Sequence, residues 1–376
     1  MTRQPDLIIV GAGVVGAACA MYAAEAGLAV LVLERNRPAG GVTSAGMGHI
    51  VAMDDSPAQL TLTAFSRGLL ADLAAELPAS VEYDRCGTSW VAASSGELDA
   101  ARAKCELYHA HALRAELLDA RSLASAEPKL RPELAGGVLV PDDGVLYQPV
   151  FTRWLLDRAQ RAGAMVRSGV AVHALSRHGV QSSAGPLAGG ATLIAAGTDT
   201  CQLLPMLPII PRKGHLVVTA RMPGIVRHQL VELGYLQSAH AMTRSSVAFN
   251  VQPRRTGQLL IGSSRELAGP DRSMNREVLG QMLARAIAFM PVIADIDVLR
   301  VWTGMRPATP DGLPFIGRAP DRKGVWVASG HEGLGITTAL GTGAIVTALL
   351  TGTQPPVDAA PFTPDRIREP TGASHA

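Results

Sequence analysis

Residues 6–34 read DLIIVGAGVVGAACAMYAAEAGLAVLVLE, and this stretch decides the fold. Its first apolar, branched run, Leu7–Val10, is typical of a strand that is buried on both faces. A glycine-rich turn follows, then an alanine-rich helix that ends at Gly27. Residues 28–33 form a second apolar run. The order strand, glycine turn, helix and strand predicts a βαβ unit of a parallel sheet.

The turn of this unit fits the pattern G-x-G-x-x-G. Gly11 permits the tight turn out of the strand, Gly13 lets a pyrophosphate approach the backbone, and Gly16 lets the helix lie close to the sheet. The helix N-terminus offers amide groups and a partial positive charge to phosphates. Glu34 closes the second strand, where an acidic side chain can accept a hydrogen bond from a ribose hydroxyl. The stretch therefore predicts a dinucleotide-binding unit.

The same stretch allows two other interpretations. The first is a βαβ unit that binds no nucleotide. The second is a secretory signal peptide, because Arg3 precedes an apolar run that ends in small residues. Three spaced glycines, the acidic Glu25 and a second strand argue against the signal peptide.

Length and composition set outer limits. The chain has 376 residues, 47% of them hydrophobic, and a formal net charge of +2. This length suggests two or three domains with a large core. A charge so close to zero, without a basic cluster interleaved with aromatic residues, argues against a nucleic-acid-binding protein.

The cysteines and the longest uncharged run bear on compartment. Cys19, Cys86, Cys105 and Cys201 are scattered and form no C-x-x-C pair, so neither a zinc site nor a dithiol motif is predicted. Free thiols fit a reducing compartment, and we expect a cytoplasmic protein. Residues 333–350 are about as long as a membrane span, but their glycines and threonines and the preceding strand favour a buried helix.

Apolar spacing outlines the rest of the chain. It predicts helices at residues 56–77 and 148–163, and a charged, exposed helix at 97–118 whose charges form a solvated face. A strand at 191–195 runs into a small-residue turn that could lie against the nucleotide. Residues 207–302 are predicted to hold short strands, a hairpin turn and a helix at residues 276–290. This block indicates a mainly antiparallel second domain, a natural wall for a substrate pocket.

We therefore predict an α/β fold with a Rossmann-like dinucleotide-binding domain and a second, mainly antiparallel β-sheet substrate domain of the α+β type. The first domain would be discontinuous and would comprise residues 1–80, 145–205 and 305–360. The second would comprise residues 81–144 and 206–304. Residues 361–376 would form a flexible tail.

The loop after the first unit, NRPAGGVTSAGMGHI at residues 36–50, is rich in glycine. Such a backbone can approach a ligand closely, although glycine-rich loops are often ordinary turns. Thr43 and Ser44 could donate hydrogen bonds to phosphate or cap the next helix. His49 could touch a reactive ring or serve structure alone.

A second informative stretch lies at residues 301–350. It contains WTGMRP, then TPDGLPFIG, then a strand, SGHEGLG and a long apolar helix. This second strand, glycine turn and helix supply another helix N-terminus for an anionic group. Arg306 precedes a proline in a predicted loop between the two domains. Its planar guanidinium could hold an α-carboxylate with two parallel hydrogen bonds, or it could be a structural arginine.

Taken together, these motifs resemble the D-amino acid oxidase family of FAD-dependent amine oxidases and dehydrogenases. The resemblance rests on G-x-G-x-x-G ending in Glu34, W-x-G-x-R-P followed by T-P-D-G-L-P-x-I-G, and S-G-H-x-G-x-G. The loop S-A-G-M-G-H and the segment RKGH at residues 212–215 are similar to one branch of that family. This branch contains flavoprotein subunits of hydrogen cyanide synthase, opine oxidases, and proline or D-hydroxyproline dehydrogenases.

The resemblance implies a cofactor site built from both ends of the chain. The residues implied to contact FAD are Gly11, Ala12, Gly13, Val14, Val15, Gly16, Glu34, Arg35, Thr43, Ser44, Ala45, Gly46, Gly48, His49, Val172, Ala196, Gly197, Gly304, Arg306, Gly330, His331, Gly333, Leu334, Gly335 and Ile336. Those implied to act in catalysis are Arg306, His49, His331 and Tyr235. Some relatives attach flavin through a cysteine just beyond this arginine. Residues 307–317 contain no cysteine, so we predict non-covalent FAD.

The implied activity is oxidation of an amino or imino acid of the D-proline or cis-4-hydroxy-D-proline type, a secondary amine, to the imine by hydride transfer to flavin. Three alternatives stay open. One is oxidation of an opine, sarcosine or glycine as the catalytic subunit of a heteromeric complex. Another is a flavoprotein subunit that relays electrons without oxidising substrate. The third is an NAD-dependent dehydrogenase with the same fingerprint.

The sequence leaves the electron acceptor open between O2, a quinone and a partner subunit. It is equally open between a homodimer and a subunit of a heteromeric dehydrogenase. A membrane-bound acceptor would place the protein peripherally at the inner membrane.

Overall fold

The computed structural model describes residues 4–234 and 245–367 of the chain. The strands, in chain order, are β1 (Leu7–Val10), β2 (Val30–Glu34), β3 (His49–Ile50), β4 (Thr88–Ala92), β5 (Glu116–Asp119), β6 (Gly136–Val140), β7 (Gly144–Val145), β8 (Met165–Ser168), β9 (Val172–Ser176), β10 (Gly179–Ser182), β11 (Gly185–Ala188), β12 (Ala191–Ile194), β13 (Ile210–Thr219), β14 (Gln229–Glu232), β15 (Ser245–Pro253), β16 (Leu259–Glu266), β17 (Val298–Ala308), β18 (Phe315–Arg318) and β19 (Val325–Ser329). The α-helices are α1 (Val14–Glu25), α2 (Pro57–Leu73), α3 (Ser95–Ala110), α4 (Ala120–Ala126), α5 (Gln148–Arg161), α6 (Thr200–Leu203), α7 (Arg276–Phe289) and α8 (Gly335–Thr351).

The first sheet has six strands in the order β18-β19-β12-β1-β2-β8. All neighbours are parallel except β18 and β19. Helices α1, α5 and α8 cover one face, and the small sheet β11-β10-β9 covers the other. Because both faces are covered, the central strands β1, β2, β12 and β19 are largely apolar and buried, whereas the edge strand β8 is mostly exposed. The predicted Rossmann-like α/β architecture is confirmed.

Helix α8 packs directly on helix α1 because a glycine lies at the crossing. A Cβ added to Gly343 would stand 2.8 Å from the carbonyl oxygen of Ala18, so only glycine allows this approach. Residues 333–350, considered above as a possible membrane span, form most of α8 and are largely buried in this core. No helix among the described residues is long and apolar enough to cross a bilayer.

The second sheet has eight strands in the order β17-β13-β16-β15-β14-β4-β6-β5. Its pairs are antiparallel except β14 with β4, which confirms the predicted, mainly antiparallel second sheet. Helix α7 covers one face, where Phe249 and Phe289 stack with their ring centroids 4.7 Å apart. The opposite face looks toward the glycine turn of β1 and carries the site described below. The predicted domain boundaries remain a proposal.

Three predictions about local structure were wrong. The helix predicted at residues 97–118 ends at Ala110, and Glu116–Asp119 is strand β5. Its charges are not all solvated, because Lys104 is buried, forms an ion pair with Asp54 and lies over the Trp90 ring. A buried ammonium group is stable only when it is paired in this way.

The second wrong prediction placed Arg306 in a loop, whereas it lies in β17. This strand pairs with β13 along its whole length, from Ala308 opposite Ile210 to Val298 opposite Thr219. The third was the flexible tail at residues 361–376, which is wrong for residues 361–367. Phe362 is 1% exposed, and Arg366 forms an ion pair with Asp311, so the chain stays packed as far as residue 367. Residues 368–376 lie outside the described part of the chain.

Candidate active site

The glycine turn is shaped by close backbone contacts. Gly11 has a φ of +107°, and a Cβ there would lie 2.5 Å from the carbonyl oxygen of Ala195. A Cβ on Gly16 would lie 2.0 Å from the carbonyl oxygen of Gly11. At Gly13 an added Cβ would approach only the Thr43 hydroxyl, at 3.2 Å. Two glycines therefore permit the turn and the helix packing, while the third borders open space.

Glu34 is held firmly at the end of β2. One carboxylate oxygen accepts a hydrogen bond from the Ala12 amide at 2.9 Å, and the other accepts one from the Asn36 amide at 2.9 Å. Each oxygen retains a lone pair for a further donor. The amide of Val14, in the first turn of α1, donates to the Thr43 hydroxyl at 3.0 Å. The acid and the helix N-terminus thus lie side by side, as a bound adenosine diphosphate would require.

A cavity of about 550 Å³ joins this turn to the second sheet. It begins beside Glu34 and Val172 and ends beside Arg306 and Trp90. The structure brings most of the predicted site residues to it: Gly11, Gly13, Val14, Val15, Glu34, Arg35, Thr43, Ala45, Gly46, His49, Val172, Ala196, Gly197, Gly304, Arg306, His331, Gly333, Leu334, Gly335 and Ile336.

Five other predicted residues, all within the described part of the chain, do not line this cavity: Ala12, Gly16, Ser44, Gly48 and Gly330. Ala12 and Gly16 are packed within the turn. Ser44 donates its hydroxyl to the carbonyl oxygens of Gly40 and Gly41 and lines a neighbouring cavity of about 530 Å³. Gly48 packs against the backbone of Leu146, and Gly330 against the side chain of Thr309. Tyr235 lies outside the described residues.

Arg306 reaches the cavity because a glycine makes room for it. In the register of β13 and β17, Arg306 lies opposite Arg212, and Gly214 lies opposite Gly304. The guanidinium passes over Gly214, where an added Cβ would be only 2.3 Å from Nη1. Nη1 donates a hydrogen bond to the carbonyl oxygen of Ser264 at 2.8 Å. The planar cation is therefore fixed across three strands at the cavity wall.

The tautomer of His49 follows from its hydrogen bond. Its Nε2 lies 3.0 Å from the carbonyl oxygen of Gly333, which can only accept, so Nε2 carries the proton. Nδ1 is buried and has no hydrogen-bond partner among the described residues. Burial lowers the pKa of His49 to about 4, with Arg306 contributing in the same direction. At neutral pH the His49 ring is therefore uncharged. Its Nδ1 remains a hydrogen-bond acceptor, and His49 lines the cavity.

His331 lies at the turn that precedes α8. Its Nε2 is 3.0 Å from the hydroxyl of Thr342, which lies within helix α8. Burial lowers the pKa of His331 to about 3, so this imidazole is also neutral at physiological pH. A neutral ring fixed by a threonine of the helix supports the turn without adding charge to the cavity.

Sequence reasoning missed a group of charged residues beside Arg306. Glu332 occupies the left-handed region with a φ of +46°, and its carboxylate lies 2.8 Å from Arg212 and 3.5 Å from Arg265. A non-glycine residue held in this conformation is characteristic of a site that the surrounding structure constrains. Glu332 stood within the SGHEGLG motif, whereas no local signal marked Arg265.

The cavity floor was also missed. Trp90, Val231 and Asn250 lie in register on β4, β14 and β15 and face the cavity together. Gly262 of β16 continues the row. Strand register across residues so far apart in the chain leaves no local sequence signal. The polar groups among these floor residues are uncharged: Asn250, its neighbour Ser263, Gln229 and the indole N–H of Trp90.

Comparisons with known proteins agree with this geometry. A family model described as DAO, FAD dependent oxidoreductase, matches residues 6–349. A D-amino acid dehydrogenase of Xanthobacter autotrophicus is 30% identical, over 96% of this chain and 99% of the relative. A glycine oxidase of Geobacillus kaustophilus is 28% identical, over 96% and 97%. The hydrogen cyanide synthase subunit HcnC of Pseudomonas aeruginosa is 27% identical over the full length of both chains.

Solved structures show the same fold. The crystal structure of glycine oxidase from Geobacillus kaustophilus superimposes with a TM-score of 0.87 at 26% identity, covering 98% of this chain and 100% of the other. The crystal structure of L-proline dehydrogenase from P. horikoshii gives a TM-score of 0.86 at 20% identity, covering 97% and 98%.

Proposed function

The chain belongs to the DAO family of FAD-dependent oxidoreductases, and from that premise we propose that it oxidises an amino or imino acid of the D-proline type to the imine. It is an FAD-dependent amino acid oxidoreductase; the choice of a secondary amine, D-proline or cis-4-hydroxy-D-proline, is the proposal. The observation that carries it is one continuous cavity that links the dinucleotide turn to Arg306.

The residues of the cavity fit FAD. Gly13 leaves the backbone open where a pyrophosphate would lie, and the first turn of α1 presents amide groups there. The Glu34 carboxylate would accept a hydrogen bond from a ribose hydroxyl. The turn at residues 330–335 would border the flavin ring at the N-terminus of α8. No cysteine lines the cavity, and all four belong to the described residues, which supports the proposal that FAD is held without a covalent bond.

When bound, FAD supplies the acceptor for a hydride from the carbon beside the amine nitrogen. The chain's own residues do the positioning. Arg306 would bind the substrate carboxylate through a planar pair of hydrogen bonds, because its guanidinium is already fixed by Ser264. Fixing the substrate in one orientation supplies a large part of the rate. Trp90, Val231 and Leu334 would exclude water from the reacting carbon.

The charges beside the substrate favour the form of the amine that can react. Guanidinium groups near an ammonium lower its pKa, because like charges disfavour the protonated form. Arg306 would therefore favour the neutral amine, whose nitrogen lone pair can stabilise the developing imine. His49, with its proton on Nε2, offers Nδ1 as a hydrogen-bond acceptor rather than as a strong base. No strong protein base is then required.

The second candidate function is oxidation of glycine, sarcosine or an opine as the catalytic subunit of a heteromeric complex. Its support is the full-length similarity to a subunit of hydrogen cyanide synthase and to glycine oxidases. A subunit that only relays electrons is a third candidate. O2, a quinone and a partner subunit are the acceptors to be distinguished, and a homodimer and a heteromer are the two assemblies.

Anaerobic reduction of the purified yellow protein tests the proposal. We expect D-proline or cis-4-hydroxy-D-proline to bleach the flavin absorbance, and Arg306→Ala to weaken substrate binding by at least about a hundredfold, since it removes a charged bidentate contact. Bleaching by glycine, sarcosine or an opine alone would favour the second candidate. Bleaching by none of them, or unchanged turnover of Arg306→Ala in a full complex, would count against catalysis by this chain. A colourless protein that binds no FAD would overturn the assignment.

A further inference from the structure

Two buried polar side chains on the cavity floor have no structural task that the described residues reveal. Asn250 is 7% exposed and Ser263 is 3% exposed. The Oδ1 atom of Asn250 and the Oγ atom of Ser263 have no hydrogen-bond partner among the described residues, and both side chains line the cavity. Leaving such atoms buried and unpaired destabilises a fold. A cost of this kind is offset when a ligand supplies the missing partner.

The position of the pair relative to Arg306 suits a small substrate. Arg306 donates a hydrogen bond to the carbonyl oxygen of Ser264 on β16. Gly262 lies two residues before Ser264 on the same strand, and Asn250 lies opposite Gly262 on the neighbouring strand β15. The pairing of β15 and β16 shifts between Val247 and Asn250. A regular rise of about 3.3 Å per residue and a strand spacing of about 4.8 Å give a separation on the order of 8 Å between the backbones of Ser264 and Asn250. A small ring could reach both ends with one hydrogen bond at each.

The surroundings of the pair define the chemistry of the group that it would bind. A carboxamide and a hydroxyl both donate and accept hydrogen bonds, and neither carries charge. Arg265 is a nearby cation that also lines the cavity, and its guanidinium already forms an ion pair with the Glu332 carboxylate at 3.5 Å. Trp90 and Val231 add carbon surface on the other side of Asn250. The indole N–H of Trp90, also buried without a partner among the described residues, is an uncharged donor. The pocket is therefore suited to a neutral hydroxyl rather than to a second carboxylate.

We propose that Asn250 and Ser263 form a subsite for a hydroxyl group on the substrate, on the cavity floor beside Trp90 and apart from the carboxylate held by Arg306. This inference rests on the proposed function. It selects, within the D-proline type, substrates hydroxylated on the ring. Such a site rejects the analogue that lacks the hydroxyl, because the buried polar atoms are then left unpaired again.

The test compares kcat/KM for cis-4-hydroxy-D-proline and for D-proline in the FAD-loaded protein. In the wild type we expect a ratio above about ten. Asn250→Leu, which keeps the shape and removes the hydrogen bonds, should lower this ratio by about tenfold or more, and Ser263→Ala should lower it in the same direction. Ser89→Ala is the matched control. Ser89 is also buried with an unpaired hydroxyl, but it does not line the cavity.

The outcomes separate this inference from the proposed function. A wild-type ratio near one, or a ratio that both variants leave unchanged within about twofold, would overturn the hydroxyl subsite while D-proline oxidation stands. If neither amino acid reduces the flavin, the proposed function itself fails. Retention of FAD by each variant shows that it has folded. Ser263→Ala removes a single oxygen atom and keeps the test decisive if the larger change at Asn250 prevents folding.

Discussion

The sharpest prediction concerns Gly214, which lines the cavity beneath the Arg306 guanidinium and has no side chain of its own. A Cβ at this position would lie 2.3 Å from Nη1 and 2.8 Å from both Cζ and Nη2 of Arg306. Ordinary contact needs about 3.5 Å, so Gly214→Ala must push the guanidinium aside by roughly 1 Å. A misplacement of about 1 Å in a positioning group can cost about a hundredfold in rate. We expect kcat/KM to fall about thirty- to a hundredfold.

The same substitution should leave the fold nearly as stable as before. Gly214 lies in a strand outside the left-handed region, so alanine fits the backbone and gains about 0.5–1 kcal/mol over glycine. Against that stands a weakened hydrogen bond from Arg306 to Ser264, a net loss of about 1.5–3 kcal/mol for a charged donor. The two effects leave the free energy of unfolding about 0.5–2.5 kcal/mol below that of the wild type, which urea unfolding would measure.

The assay is an anaerobic titration of flavin reduction with substrate, followed by steady-state turnover. Gly280→Ala is the matched control, because Gly280 lies exposed in helix α7 with open space around its Cα. It should gain stability and keep full activity. Arg306→Lys should resemble Gly214→Ala, since a lysine keeps the charge and loses the paired geometry. Activity of Gly214→Ala within about threefold of the wild type would refute the role assigned to the fixed guanidinium.

Three further predictions follow from the same structure. Gly16→Ala would place a Cβ 2.0 Å from the backbone oxygen of Gly11, so helix α1 must move. We expect the Kd for FAD to rise at least about tenfold, as measured by quenching of flavin fluorescence when FAD is added to the apoprotein. An unchanged Kd would contradict this. His331 has a pKa of about 3 in the folded protein against 6.5 when unfolded, so the unfolded chain binds the proton first and the free energy of unfolding falls below pH 6.5 by about 1.4 kcal/mol per pH unit. His331→Gln should show a shallower fall between pH 6.5 and pH 4. Parallel curves for the two proteins would contradict this prediction. Phe362→Ala should cost about 3–5 kcal/mol of unfolding free energy because Phe362 is 1% exposed, whereas a loss under about 1 kcal/mol would show that the segment after α8 is not part of the core.

The dinucleotide-binding end of the site could be read from the sequence because its determinants are local. The turn from Gly11 to Gly16 needs glycines at fixed spacing, and continuous apolar runs predict the flanking strands. Glu34 lies at the end of such a strand, so its place beside the turn followed from the chain alone. The structure places it there, with a carboxylate oxygen on the Ala12 amide.

Other local patterns misled because tertiary contacts overrode them. The charged segment around Lys104 looked like a solvated helix face, yet Asp54 and the Trp90 ring bury that lysine. Arg306 was predicted in a loop because a proline follows it. Pairing with β13 continues through Pro307, which lies in an edge strand where its missing N–H breaks no hydrogen bond within the sheet.

What the sequence determined by itself is the fold class, the cofactor and the presence of an arginine among the family's motif residues. What only the tertiary structure decided is which side chains meet across the second sheet. Asn250, Trp90 and Val231 share one row although they lie on strands far apart in the chain. Alternation along a strand fixes which residues face the same side, but the order and register of neighbouring strands depend on contacts formed throughout the folded chain. For this reason the part of the cavity assigned to the substrate became visible only when those strands were paired.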